Sequence, residues 1–440
     1  MKYIVPALGT LGAIGLFTGS ALLTTQASAI ERSSKADTFK QLELFADVMA
    51  RVRADYVVDV EDNLLIEDAI NGMLQSLDPH SSYLNAETFR DMQQVTSGEY
   101  GGLGMEVTSD SGFVKVVAPI DNTPASKAGI KAGDYLTEID GDSLIGLSLD
   151  EAVDQMRGKP GEPITVTVVR KNEDPQDITM VREIIPQNRA SYQIKDGIPV
   201  IRISQFNEKT ESSMTAAITA AKSELGGSIP GIVLDLRRNP GGLLDQSIKV
   251  SSAFLDGGDV VSTRGRREGD VSEYGAERGE LLKNVPVVIV IDNASASAAE
   301  IVAGALQDRG RGLVIGLTSF GKGSVQSVIP LRGGRDGALR LTTERYYTPS
   351  GRSIQGTGIE PDIFISAAPE DESARTNFRE SDLPNAIKNE LEEAEDESKD
   401  DEPVIEFPPE GFPEDGDYQL DRAISILKDG SYKTLMAAAR

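Results

Sequence analysis

The sequence predicts a multidomain chain of mixed α+β and α/β construction. A helical N-terminal region leads into a compact β-rich module, then an α/β core, then an acidic tail that ends in a helix. Three observations predict this. Apolar residues recur at helical spacing between Thr38 and Thr88. Short apolar runs broken by glycine and proline fill residues 97–182. Between Pro186 and Ile365, continuous apolar runs alternate with amphipathic stretches. At 440 residues the chain is also too long for one domain of about 100–200 residues.

Composition narrows the chemistry. Apolar residues make up 39% and charged residues 26%, enough for a core with a polar segment besides. Acids outnumber bases 70 to 44, a net charge of −26, which argues against nucleic acid as a partner. There is no cysteine, so disulfides, thiolate metal sites and a cysteine nucleophile are excluded. The single histidine, His80, removes poly-histidine metal sites and leaves an enzyme to find its base elsewhere. No metal and no cofactor is expected.

Each element follows in order. Lys2, an apolar stretch from Ile4 to Leu23 and Ala27-Ser28-Ala29 have the pattern of a secretory signal over residues 1–29, with cleavage after Ala29. An uncleaved anchor to the inner membrane is the alternative, since about 20 apolar residues would span a bilayer. Either reading puts the bulk of the chain outside the cytoplasm, in the periplasm or cell envelope. Residues 30–96 read as helical: Phe39, Leu42, Phe45, Val48, Met49 and Val52 share one face, and Glu67–Leu77 forms a second run. The run stops at the Asp78-Pro79-His80 turn; His80 is expected to be structural, with no partner visible in the sequence.

In the β-rich module, strands are expected at Gly104–Val107, Val114–Ala118, Tyr135–Ile139 and Ile164–Arg170, with helices at Pro124–Ala128 and Leu149–Arg157. In the region 186–365, strands Val200–Ile203, Gly231–Leu236, Val285–Ile291, Leu313–Leu317 and Ala338–Tyr346 interleave with helices Thr210–Glu224, Leu243–Phe254 and Ala296–Gln307. Such strands imply a sheet buried on both faces. Residues 366–417 read as an acidic, disordered linker: Glu370–Glu402 holds 14 acids and 4 bases. Residues 418–440 read as helical, with an amphipathic stretch Tyr418–Leu427 that docks on its own domain or on another subunit. The helical ends suggest a homo-oligomer.

Two regions carry chemistry. Gly102-Leu103-Gly104-Met105 opens the β-rich module, and glycine there lets backbone N–H groups converge on an anion such as a peptide C-terminus. The run Thr123–Asp134 into Leu136-Thr137-Glu138-Ile139-Asp140-Gly141 follows at a suitable distance. Together these residues resemble a PDZ domain.

In the α/β region three motifs stand out: Asp235-Leu236-Arg237-Arg238-Asn239-Pro240-Gly241-Gly242, Ser295-Ala296-Ser297-Ala298-Ala299-Glu300, and Gly321-Lys322-Gly323-Ser324-Val325-Gln326. A serine at a helix N-terminus sits beside unpaired N–H groups that stabilise developing negative charge. It still needs a base, and with so little histidine a lysine is the candidate. Lowering an amine from about 10.4 toward 7.5 takes roughly 4 kcal/mol, which burial can supply. Lys322, between two glycines beside an apolar strand, suits the role, and Gln326 could orient it without neutralising it. Two rival readings exist. Gly316-x4-Gly321-Lys322 has the outline of a phosphate loop, but Gly323 stands where a magnesium-holding hydroxyl belongs. Ser297 taken alone could be a plain helix cap.

The order of these motifs behind the PDZ-like module resembles the carboxy-terminal processing (tail-specific) serine proteases over about Phe39–Ile365. The resemblance implies a PDZ domain at 97–182. It also implies a serine protease core at 186–365, built as a crotonase- or Clp-like layering of sheets and helices. Its spacing selects Ser297 rather than Ser295 as nucleophile, Lys322 as base and Gln326 as support. It further implies Gly241, Gly242 and Ala298 as oxyanion donors, Asp308 as structural support, and a PDZ arginine coupling peptide binding to activity, for which Arg157 is the candidate. Arg238 and Ala299 depart from the family's usual Asn and Ser. The implied activity is exported endopeptidase cleavage of proteins captured by their free C-termini, with an adaptor protein and the membrane as further partners. A scaffold or chaperone that grips C-termini without cutting is the second reading.

Overall fold

The computed structural model describes residues 37–110, 112–120, 122–170, 173–368, 378–389 and 404–440. The expected signal or anchor at 1–29 lies outside them. Among the described residues no helix is long and apolar enough to cross a membrane. The chain divides into two units, 1–73 and 74–440. The first holds a helix over 37–55 and most of helix Asp62–Gln75. On the former, Phe39, Leu42, Phe45 and Val48 are exposed.

The second unit opens with a difference from the sequence reading. The region expected to be helical to residue 96 contains the strand Ser82–Leu84, which pairs with Ala338–Leu339-Arg340 of the long strand Ala338–Tyr347. Three residues are too few to show a strand period, and the Asp78 carboxylate fixes the turn before them by accepting the N–H groups of His80 and Ser81. Helix Ala86–Ser97 follows, capped by Asn85.

The β-rich module is an antiparallel sheet in the order Met105–Asp110, Phe113–Pro119, Tyr135–Ile139, Pro163–Val169, Gln176–Val181. Alternation in Pro163–Val169 turns Ile164, Val166 and Val168 into the core, where Leu136, Val116 and Ala152 meet them. Helix Leu149–Met156 is closed by a capping box between Ser148 and Glu151.

The α/β core is built on a six-stranded sheet in the order Ala190–Lys195, Ile198–Ile203, Ile232–Asp235, Val287–Ile291, Leu313–Gly316, Ile363–Phe364. The first pair is antiparallel and the rest are parallel. Val287–Ile291 is buried throughout because both faces are covered. Val287, Ile289 and Ile291 enter one core with helix Ala298–Asp308, and Val288 and Val290 enter the other. The second face is closed by the chain's own C-terminal helix Tyr418–Lys428 through Leu420, Ala423, Ile424 and Ile426. Each such leucine or isoleucine contributes about 1.5–3 kcal/mol of burial. A second sheet joins Ser82–Leu84, Ala338–Tyr347, Asp259–Gly265 and Val271–Gly275, with Ser324–Pro330 also paired to Ala338–Tyr347.

The acidic tail also needs correction. Residues 369–377 and 390–403 lie outside the described residues, but 378–389 is ordered and buries Glu380 and Asn389. The N–H of Glu380 donates to the Phe320 carbonyl. Past it, Glu406 bridges to Ile365 and bonds Arg422. The expected disordered linker over 366–417 is therefore interrupted by segments packed on the core. A charge run hides a single acid that has found a buried partner.

Candidate active site

Three adjacent parallel strands, Ile232–Asp235, Val287–Ile291 and Leu313–Gly316, end at the same sheet edge. Their C-terminal loops carry the three motifs, so parallel topology alone brings the motifs together. Ser297, Lys322, Gln326, Gly242, Tyr346 and His80 line one cavity of about 740 Å³. Its apolar wall includes Phe206, Leu244 and Ile248.

Ser297 occupies the cap position of helix Ala298–Asp308 at φ 54°, ψ −113°, a left-handed conformation rare for a side chain larger than glycine. Ser295 is fully buried; its hydroxyl donates to the Leu236 carbonyl at 2.9 Å and meets Asp292 at 3.1 Å. One serine thus fastens the loop while the other faces the cavity. The Tyr346 phenol lies against the Ser297 hydroxyl, and burial pushes that phenol well above its ordinary range.

Lys322 is the site's amine. Burial disfavours its charged form and lowers it to about 8; Glu380, Glu300 and Asp78 oppose the shift, and Arg340 adds to it. Its Nζ donates to Gln326 Oε1 and, at 3.3 Å, to the Ser324 carbonyl, rather than to the Ser297 hydroxyl. Gln326 is held in turn, its Nε2 donating to Ser324 Oγ at 3.0 Å and Thr342 Oγ1 at 3.2 Å.

The expected oxyanion donors need one correction. Ala298 N–H, in the first turn of its helix, and Gly242 N–H donate to no protein acceptor among the described residues and remain available. Gly241 is different: its N–H donates to Asn239 Oδ1 at 2.9 Å, so it is not a free donor here. Its glycine serves close approach instead. At φ 96°, a Cβ on residue 241 would stand 2.8 Å from Ser297 Cβ and 2.9 Å from Ala298 N. A side chain there would fill the space before the Ala298 amide.

Glu300 is the residue that sequence reasoning passed over. It is fully buried, and its carboxylate accepts Ser297 N–H at 2.6 Å, Lys322 N–H at 2.9 Å, Gly321 N–H at 2.7 Å and Ser319 Oγ–H at 2.6 Å. Burial raises it to about 7 despite these four donors. One acid inside the apolar run Ala298–Leu306 was the available signal. The same bonds dispose of the phosphate-loop reading: the Gly321 and Lys322 amides that would cradle a phosphate are taken by Glu300.

The remaining predicted residues lie elsewhere. Asp308 stands at the far end of the helix from Ser297, where it bonds Ser350 N–H at 2.9 Å and the Arg352 guanidinium. The groove of the β-rich module is lined by Gly102, Leu103, Gly104 and Met105 on one side and by Val153, Met156 and Arg157 on the other. Leu103 and Gly104 N–H groups have no protein acceptor among the described residues, and Met105–Asp110 is an edge strand. Arg157 pairs with Asp154 at 3.2 Å and lies over the Tyr100 ring at 5.6 Å, beside this groove and not in the Ser297 cavity. His80 has a partner after all: its Nε2 meets Glu380 Oε2 at 2.8 Å.

Comparison with known proteins bears on most of the chain. Residues 197–365 match peptidase family S41, residues 115–170 a PDZ domain, and residues 8–88 the N-terminal domain of the activating protease CtpB. A carboxy-terminal-processing protease of Bartonella bacilliformis is 53% identical over 348 residues, 79% of this chain and 80% of that one. The carboxy-terminal processing protease CtpA of Bacillus subtilis is 33% identical over 354 residues, 80% of this chain and 73% of the relative. Among solved structures, the photosystem II D1 C-terminal processing protease covers 78% of this chain and 98% of its own at 26% identity, with a TM-score of 0.42.

Proposed function

The chain belongs to the carboxy-terminal-processing proteases of peptidase family S41, and from that membership we propose that it is an exported serine endopeptidase working through a Ser297–Lys322 dyad. The PDZ domain grips the free C-terminus of a protein substrate, with the tail carboxylate at the Leu103 and Gly104 amides and the tail itself added to strand Met105–Asp110. Ser297 Oγ attacks a peptide carbonyl upstream. Lys322, turned from the Ser324 carbonyl toward the hydroxyl, accepts the serine proton, and the oxyanion rests on the Gly242 and Ala298 amides. The lysine returns the proton to the departing amine, leaving an acyl-enzyme that water hydrolyses. Gln326 holds the amine without adding a charge that would keep it protonated.

The observation that carries this reading is a buried lysine lowered to about 8 in the cavity that Ser297 also lines. The test is incubation of the purified chain with an unfolded protein. Cleavage that survives a chelator and is lost in Ser297→Ala supports the reading; cleavage that persists in Ser297→Ala contradicts it and leaves the tail-gripping scaffold.

Export rests on the pattern of residues 1–29, and N-terminal sequencing of the mature protein tests it: a start at Ile30 supports cleavage. Self-association rests on the exposed Phe39, Leu42, Phe45 and Val48 face, and sedimentation tests it.

A further inference from the structure

Glu380 sits far from the catalytic motifs in sequence, within an acidic run, yet its side chain is 1% exposed. Its carboxylate meets His80 Nε2 at 2.8 and 2.9 Å and accepts Gln355 Nε2–H at 3.2 Å. Its backbone N–H donates to the Phe320 carbonyl at 3.0 Å. Gln355 Oε1 in turn accepts Gly323 N–H at 3.0 Å. Phe320 and Gly323 bracket Lys322, so Glu380 clamps the lysine's loop on both sides.

The contacts continue around the amine. Lys322 Nζ donates to Gln326, whose Nε2 donates to Thr342 Oγ1. Thr342 Oγ1 donates to Asp78 Oδ1 at 3.0 Å, and the same oxygen accepts His80 N–H at 2.9 Å. His80 then returns to Glu380. The ring closes around Lys322 and draws its members from residues 78–80, 322–326, 342, 355 and 380.

Charge matters as well as geometry. Burying a carboxylate is costly unless it is paired, and His80 alone does not enclose this one. Among the charged groups facing Lys322, Glu380 acts most strongly to keep the amine protonated, followed by Glu300. Asp78 acts in the same sense, Arg340 in the opposite one, and His80 lines the same cavity.

We propose that Glu380, delivered by segment 378–389 and paired with His80, is a positioning residue that fixes the Lys322 loop and sets the pH at which the lysine becomes a base. The proposal rests on the dyad reading above.

The test uses the full chain and casein as an unfolded substrate. Values of kcat and KM are followed across pH for wild type, Glu380→Gln, Glu380→Asp and Lys322→Ala. Glutamine keeps the shape and removes the charge. The midpoint of the alkaline rise in kcat/KM is expected to move about one pH unit lower, with a reduced plateau in kcat and an unchanged KM. Aspartate restores the charge on a shorter arm, so the midpoint should return to the wild-type position while the plateau stays low. An unmoved midpoint in Glu380→Gln, or a displaced one in Glu380→Asp, overturns the proposal. Should the glutamine variant not fold, the aspartate variant decides: a lowered plateau at the wild-type midpoint supports the proposal, and a displaced midpoint or a wild-type plateau overturns it. Lys322→Ala separates the two claims. PH-dependent cleavage in it removes the dyad reading, whereas an inactive Lys322→Ala beside an unmoved Glu380→Gln midpoint removes only the role given to Glu380.

Discussion

The backbone N–H groups of Ser297 and Lys322 donate to the same atom, Glu300 Oε2, at 2.6 and 2.9 Å. Ser297 follows one strand and Lys322 the next, and both backbones are tied to this buried oxygen. The other carboxylate oxygen takes Gly321 N–H and Ser319 Oγ–H, so the loop that carries Lys322 is wound around a side chain of the helix that Ser297 caps.

Glu300→Gln should therefore lose more turnover than substrate binding. An amide offers one acceptor oxygen and turns an NH2 toward two backbone donors, leaving them unpaired in a buried site. We expect kcat to fall by roughly 100-fold, KM to change little, and stability to drop by about 2–4 kcal/mol in urea unfolding. Full activity in this variant would mean that the shared oxygen is incidental.

The lysine makes a prediction about stability as well as rate. Its folded value, about 8, lies below the ordinary value of 10.5. Between these limits the unfolded chain binds more protons than the folded one, so the folded state gains on the unfolded as pH rises. Below about 8 the full cost of burying the ammonium is present, about 3 kcal/mol from the size of the shift. Lys322→Met should be more stable than wild type at pH 7, and the advantage should fade as pH approaches 10.5. Denaturant melts at both pH values measure it; an advantage that does not change with pH would contradict the buried-amine account.

Gly241→Ala tests the crowding before the Ala298 amide, the proposed oxyanion donor. The added methyl would meet Ala296 O at 2.7 Å, Ser297 Cβ at 2.8 Å and Ala298 N at 2.9 Å, at a positive φ that alanine resists. Loss of an oxyanion position typically costs about 100- to 1,000-fold in kcat. The same loss is expected here, with PDZ-peptide binding intact by fluorescence anisotropy.

Much of this architecture was legible in the sequence, for reasons that particular residues show. Val287–Ile291 is apolar at every position because both faces of its sheet are buried, and helix Thr210–Glu224 has the predicted bounds. The hairpin Asp259–Gly265 with Val271–Gly275 was not legible, since Ser262, Thr263 and Arg264 break its apolar pattern. Ser297, Lys322 and Gln326 share a cavity, as expected of a spacing that parallel strands convert into proximity. The bond that ties up Gly241 was hidden, because it depends on where Asn239 points. His80 and Glu380 were hidden more deeply: their contact spans 300 residues, and Glu380 looks like any other acid in its run.

The PDZ groove leads to a prediction on the substrate. If the Leu103 and Gly104 amides take the tail carboxylate as proposed, amidating a substrate's C-terminus should raise KM, by roughly tenfold for each 1.4 kcal/mol of lost contact, and leave kcat at saturation nearly unchanged. Equal KM values for the acid and the amide would remove the capture step.

In the proposed dyad an uncharged Lys322 activates Ser297. The most direct measurement of this activation is the rate at which a fluorophosphonate labels Ser297 as a function of pH, in wild type and in Lys322→Met. Labelling of the wild type is expected to rise through a midpoint near 8 and stay high on the alkaline side, and the methionine variant to lose both the rate and the rise. A profile governed by a group near 6.5 that persists in Lys322→Met would contradict it.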